Sequence, residues 1–398
     1  MGTVENTISP KNLTITATDL VKCFGDEFNF SGTEFTSYGL IPGETIGSVT
    51  LNSSGATEAA TAGNYDIVPS GATGGTFNAN NYGITYVNGQ MTVNPQPTLS
   101  GAVQAATVCE GSVVNINLTG LLPEKIFSLE YTIDGVAQTT RTGLYSDVSG
   151  NSSFTTSALS ASNNGQILQI TGITLTSESP NCSQTFSEDV ILIVNPLPTL
   201  LDVTLEETVC EGSSATINLS GLLVGTTFTL FYTIDDIDQT PVTGLITDAS
   251  GNAVFITPAL SAVNNGQVLQ IYGIEITSET PGCYQEFVQD IMLDVVPASI
   301  GGTASVTDED VCLENYTTLN LSDYSGTIQW QQSVDGSTGW TNVAIGNGET
   351  TNAFTTPALS ESSYYRAEVT NGICDPDYSN VLEITVYPLP ATGEIIPD

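Results

Sequence analysis

The sequence predicts an all-β protein built as a tandem array of four β-domains, and three observations carry that expectation. First, one stretch is repeated almost without change. TVCEGS at Thr107–Ser112 returns at Thr208–Ser213, LTGLL at Leu118 returns as LSGLL at Leu219, and YTID at Tyr131 and NNGQ at Asn163 return at Tyr232 and Asn264. Every offset is 101 residues, with nothing inserted or lost, which marks tandem units of about one small domain each. Second, apolar residues alternate with polar ones at a period of two, with no helical period in the twin repeats and room for one short helical turn at GLIPGETIGSV in the first unit. Third, Gly, Asn, Asp and Ser turn signals recur every 8–12 residues, and prolyl joints such as NPQPTL and NPLPTL separate the units.

Length and period together give four units: 1–94, 95–195, 196–297 and 298–398. In the first, LTITATDL sets Leu13, Ile15 and Ala17 against Thr14, Thr16 and Thr18, a half-buried strand, and YGITYVNGQMTV is expected to be a hairpin turned at Asn88-Gly89. In the twin second and third units, FSLEYTID and FTLFYTID place Phe127, Leu129, Tyr131 and Ile133, and then Phe228, Leu230, Tyr232 and Ile234, on one face. Tyr131 and Tyr232 are therefore core aromatics. DVSGN at Asp147 and DASGN at Asp248 are expected as hairpin turns, with Gly150 and Gly251 supplying positive φ. Seven or so short strands with such turns form an Ig-like sandwich. The fourth unit is a diverged relative, with Trp330 and Tyr365 as core aromatics between Cys312 and Cys374.

Composition bounds the function. There are 5 Lys+Arg against 43 Asp+Glu and no His, a net charge of −38. Such a surface repels nucleic acid and anionic membranes. Charged residues make up only 12% and apolar residues 40%, so the chain is no acidic disordered tail. No run of 18 apolar residues exists to span a membrane. Met1-Gly2 opens a polar segment without the features of a signal peptide, so an excised piece of a longer secreted protein is expected.

Six of the seven cysteines recur in phase: Cys109 with Cys182, Cys210 with Cys283, and Cys312 with Cys374. One disulfide inside each of the last three units is expected, with an oxidising compartment implied. Cys23, without a partner in its own unit, is expected as a free thiol buried like a small apolar residue, the alternative being an inter-domain or intermolecular disulfide. Each such bridge stabilises its unit by roughly 4 kcal/mol in the chain-entropy model.

Catalysis is not expected. A nucleophilic triad has no His to serve as base, and no carboxylate pair is gathered in a long loop. Acidic clusters at Asp235, Asp236 and Asp238, and at Asp308 and Asp310, are weak candidates for Ca²⁺, which takes six to eight oxygens; no cofactor is required. Asp235-Asp236 occupies the position of Asp134-Gly135 in the twin, which favours a plain turn. Phe231 and Tyr272 are candidate sugar contacts.

Motifs add a resemblance. KCFGD at Lys22–Asp26, GNYDI at Gly63–Ile67 and NYGITYVNGQMTV at Asn81–Val93 resemble the bacterial surface repeat known as the MBG domain, YGX type, across the first unit. Its fold is expected to be β-grasp-like or a sandwich. C-E-G-S, W-Q-Q-S, Y-Y-R…N-G-x-C and V-N-P-L-P are similar to Ig-like repeats of the giant cell-surface gliding adhesins of Bacteroidota, SprB type. The resemblance implies an extracellular, cell-surface location, export by type IX secretion, and a role in adhesion and gliding motility. Partners would be neighbouring repeats of the same chain and surface polysaccharide. The fourth unit's Cys…Trp…Tyr…Cys order resembles the Ig core, in which an indole packs on a disulfide. The expected particle is an elongated rod of about 35–40 Å per domain.

Overall fold

The computed structural model describes residues 9–344 and 346–388. Met1-Gly2 and the prolyl stretch that follows Pro388 lie outside them. The chain forms two compact units, Met1–Pro196 and Leu197–Asp398, and each contains two hydrophobic cores. All the named strands and four single-turn 3-10 helices fit an all-β, Ig-like tandem fold.

The first core is closed by two sheets. Lys11–Ala17 lies between Phe35–Tyr38 and Tyr82–Val87, and Gly89–Asn94 lies between Leu20–Cys23 and Gly63–Gly75, with Ile46–Asn52 beyond. The alternation in Lys11–Ala17 turns Leu13, Ile15 and Ala17 into the core. The expected hairpin at Asn88-Gly89 does not form. Tyr82–Val87 pairs parallel with Lys11–Ala17, and Gly89–Asn94 pairs parallel with Leu20–Cys23. Chain entering and chain leaving thus run side by side and change sheet together. A single residue, Asn88, separates the two strands, too few for a two-residue reversal. Gly89 serves a close approach instead of a turn, because a Cβ there would meet the Ala17 carbonyl oxygen at 2.5 Å. The Gln90 amide donates to Asp19 Oδ1 at 2.8 Å and fixes the crossing.

The twins share one plan. Gly101–Gln104, Val113–Thr119 and Ser152–Ala158 form one sheet; Ile126–Ile133, Ile167–Leu175 and Cys182–Ile191 lead the other, with Val136–Ala137 and Arg141–Tyr145 on Ile126–Ile133. The third core repeats this order from Asp202–Leu205 to Cys283–Met292. Tyr131 packs on Phe154 at 5.1 Å between ring centroids, and Tyr232 on Phe255 at 5.2 Å, both pairs tilted by 53°. Asp147 and Asp248 do begin turns, but not hairpins. Arg141–Tyr145 and Ser152–Ala158 belong to different sheets, so the turn carries the chain across the sandwich. Gly150, at φ +75°, has to be glycine twice over, since a Cβ would meet Leu121 O at 2.3 Å.

In the fourth core Trp330 and Tyr365 are fully buried, and the Trp330 indole donates to Thr351 O at 2.9 Å. The indole does not pack on a disulfide. It stacks on Phe354, which also meets Tyr365, at 6.1 Å in each case.

Two predictions follow from the twin architecture. Tyr131→Ala and Tyr232→Ala each lower unfolding free energy by roughly 3–5 kcal/mol in denaturant melts; an effect from only one would contradict the equivalence of the repeats. The second concerns Asp147, whose carboxyl accepts from the Asn151 and Ser149 amides at 2.8 and 2.9 Å and is held below the usual carboxylate range chiefly by the Asn151 amide. A lowered folded-state pKa contributes stability above the ordinary carboxylate pKa, which is lost as pH falls through the lowered one. The melting temperature of Asp147→Asn therefore falls below the native value at pH 7, and the gap closes in strong acid.

Candidate functional site: the cysteine joints

The same strand pair recurs at four places. Leu20–Cys23, Val108–Cys109, Val209–Cys210 and Asp310–Cys312 each run parallel to the strand on which the chain leaves that sandwich. Register sets Cys23 opposite Asn94, Cys109 opposite Asn195, Cys210 opposite Val296 and Cys312 opposite Tyr387. Each opposing residue directly precedes a joint proline. The amide after each cysteine then donates to the carbonyl of that residue: Phe24 to Asn94, Glu110 to Asn195, Glu211 to Val296 and Leu313 to Tyr387, all at 2.8 Å. The chain next turns back, with Asp26, Ser112, Ser213 and Asn315 donating to the cysteine carbonyls. That turn requires positive φ two residues after the cysteine, which Gly25, Gly111 and Gly212 supply and which Glu314 adopts at +68°. Four stretches, the two in the twins identical and the other two different, thus hold a cysteine at the exit end of a sandwich.

The receiving cysteines sit at the opposite end. Cys182 begins Cys182–Ile191, after the cis Ser179-Pro180 bond, and Cys374 lies in the loop after Ser363–Thr370. Cys23 bonds Cys182 with Cα atoms 5.6 Å apart, and Cys210 bonds Cys374 at 5.2 Å. Polar contacts surround both bridges. Asn94 Nδ2 donates to Ser179 O and Pro180 O, Asn371 Nδ2 donates to Pro297 O at 3.1 Å, and the Asn371 amide donates to Ser299 Oγ at 2.9 Å. Each of these disulfides therefore fastens one sandwich to the next, beside the peptide joint that already connects them.

This corrects the expected pairing. Cys23 is not a free thiol, Cys312 is not bridged, and the bonds expected inside the units, Cys109–Cys182, Cys210–Cys283 and Cys312–Cys374, are not formed. Cys109 and Cys283 are themselves oxidised. Distance explains the failure. Cys109 lies opposite Asn195 at the exit end, whereas Cys182 opens a strand of 10 residues that runs toward that end. At roughly 3.3 Å per residue the two are some 30 Å or more apart, against the ~7 Å limit for bridged Cα atoms. Recurrence in phase did not reveal this, because a repeated cysteine recurs whether its bond closes within its own unit or onto the following sandwich, as Cys23–Cys182 and Cys210–Cys374 do. The usable signal was C-F-G at Cys23, which matches C-E-G at Cys109 and Cys210 and places the first unit's cysteine in the same series.

The acidic candidates do not converge. Asp235 and Asp236, at φ +51° and +62°, form the two-residue turn between Thr227–Ile234 and Ile237–Asp238, and Asp235 Oδ2 accepts from Gln267 Nε2 at 3.2 Å. Asp308 is tied to Thr317 through its backbone, and Asp310 lies on the Cys312 strand. No group of three His, Cys, Asp or Glu side chains placed to hold a metal occurs among the described residues. The aromatic candidates do meet. Phe231 lies 6.1 Å from Tyr272 and 5.8 Å from Tyr284, and a Cβ on Gly273 would strike the Tyr284 hydroxyl. Tyr284 thus covers Gly273.

Residues 13–92 match the MBG domain (YGX type), and residues 300–388 match a domain of unknown function, DUF8696. No curated protein matches the chain. Among solved structures, an I-band fragment of titin is similar at 10% identity and TM-score 0.38, covering 73% of this chain and 98% of that one. A four-domain ICAM-5 ectodomain fragment is similar at 10% identity and TM-score 0.38, covering 95% and 100%. The mouse nectin-like molecule 4 ectodomain is similar at 14% identity and TM-score 0.29, covering 73% and 99%.

Asp236 holds a left-handed conformation that its twin gives to Gly135, so Asp236→Gly raises stability by up to about 1 kcal/mol. Calcium leaves the melting temperature of both forms unchanged; a calcium-induced rise that disappears in the variant would instead make this turn a metal site.

Proposed function

We propose that this chain is a tension-resisting spacer of a secreted, cell-surface adhesin, working by mechanical reach instead of catalysis. The disulfide pattern carries this reading. Residues 24–181 and 211–373 lie inside covalent rings closed by Cys23–Cys182 and Cys210–Cys374. Tension on the ends passes through the bridges, so the strands inside each ring cannot be drawn out however far their cores yield. Such bonds persist in an oxidising, extracellular setting. Resistance to extension has little value for a soluble enzyme and much for a tether.

The resemblance of the first unit to MBG repeats, and of the later motifs to the gliding adhesins of Bacteroidota, supports a surface filament driven during gliding and exported by type IX secretion. A second reading, contact with surface polysaccharide, is favoured by the Phe231–Tyr272–Tyr284 cluster. Aromatic rings offer flat apolar faces to sugar rings, and the first twin has Glu130, Thr171 and Ser183 there. Tyr272→Ala with Tyr284→Ala would then abolish millimolar glycan binding while leaving mechanics intact.

Single-molecule pulling tests the spacer. The two rings span sequence separations of 159 and 164 residues, so at roughly 3.4 Å per residue full reduction lengthens the extended chain by on the order of 1,100 Å. Equal contour lengths with and without reductant would refute the shielding.

A further inference from the structure

We infer that Cys312 is a covalent docking site for a further β-sandwich of this same class, which would bond to it through a receiving cysteine as Cys374 bonds to Cys210. The inference deepens the spacer reading, but it rests on a different cysteine.

An exposed cysteine proves nothing alone. The second observation is that the corresponding residues, Cys23 and Cys210, bond the sandwich that follows them. The correspondence is structural, not merely sequential. Cys312 shares the parallel register opposite the last residue before a joint proline, the amide bond from the next residue to that residue's carbonyl, the turn closed by the third residue onward, and the positive φ at the second. Its environment also fits. In the preceding joint, Val296 lies opposite the bonded cysteine and is covered by the next domain's Gly372, whose Cβ position lies 3.1 Å from the Val296 side chain. The Cys374 sulfur rests 3.6 Å from Val296 O and 3.4 Å from Pro297 O. At the Cys312 end Tyr387 takes the place of Val296 and is 53% exposed. Leu313 takes the place of Glu211, whose carboxylate accepts from the Ala298 amide in the preceding joint. Cys312 thus carries a free thiol opposite Tyr387 in the register that Cys210, which is bonded, keeps with Val296.

Bond formation balances as an oxidation. Cys312 and the incoming cysteine lose two protons and two electrons as their S–S bond forms. The acceptor is an external disulfide, of the low-molecular-weight or dithiol-oxidoreductase class. Its own S–S bond breaks and takes up both electrons and both protons as two thiols.

The test extends the chain through its own joint: residues 1–388 continued by a second copy of residues 298–388, and separately by a copy of residues 197–297, each refolded with glutathione disulfide. Resistance to limited proteolysis identifies the extension whose added copy is folded. Non-reducing peptide mapping is expected to join Cys312 to the added copy's counterpart of Cys374 or Cys283. Cys312→Ser in the same chain would return that added cysteine to alkylation, with Cys210–Cys374 intact. A folded added copy whose receiving cysteine is alkylated along with Cys312 would overturn the inference. The shielding by the existing rings would stand, because pulling experiments read Cys23–Cys182 and Cys210–Cys374 alone.

Discussion

The register of one short parallel strand pair governs this molecule. Where the cysteine strand lies beside the outgoing strand, with the cysteine opposite the residue before the joint proline, the thiol is carried to the place where the next domain begins. Parallel pairing needs the two strands far apart in sequence, so an entire sandwich must fold before the thiol is in position. Proline then ends the ladder, since it has no amide to donate. The turn after the cysteine, the outgoing strand and the disulfide thus meet at one place.

Electrostatics suits this arrangement. Each basic side chain is used internally. Lys22 is buried and donates to Asp26 O and Thr57 O, Lys125 pairs with Glu178 at 2.7 Å, and Lys11 donates to Leu40 O. Arg141 donates to the Tyr131 hydroxyl, and Arg366 lies between the Trp340 and Tyr378 rings while donating to Gln331. The surface is left with carboxylates of one sign. Like charges oppose close association of such surfaces; within each unit the joint is held by hydrogen bonds such as Asn94 to Ser179 and Asn371 to Pro297, and by the disulfide.

Much of the fold was legible. Period-two alternation located the inward faces of Lys11–Ala17 and of the twin Tyr131 and Tyr232 strands, because burial on one side of a pleated sheet leaves that mark. The cysteine pairing was not legible from the repeat, since a period is blind to whether a bond closes within a unit or onto the next. Asn88-Gly89 misled for a related reason: asparagine and glycine favour hairpins, but here glycine answers a close backbone approach to Ala17. Trp330 between two cysteines suggested an indole on a disulfide, whereas the ring finds Phe354 and the cysteines lie at opposite ends. In each case nearness in sequence stood in for distance in space.

Non-reducing peptide mapping of the native chain tests the account most directly. After alkylation and proteolysis, the peptides of Cys23 and Cys182 should be joined, those of Cys210 and Cys374 should be joined, and Cys312 should carry the alkyl group. Recovery of Cys109 joined to Cys182, or of Cys312 joined to Cys374, would place the bonds inside single sandwiches and contradict the account.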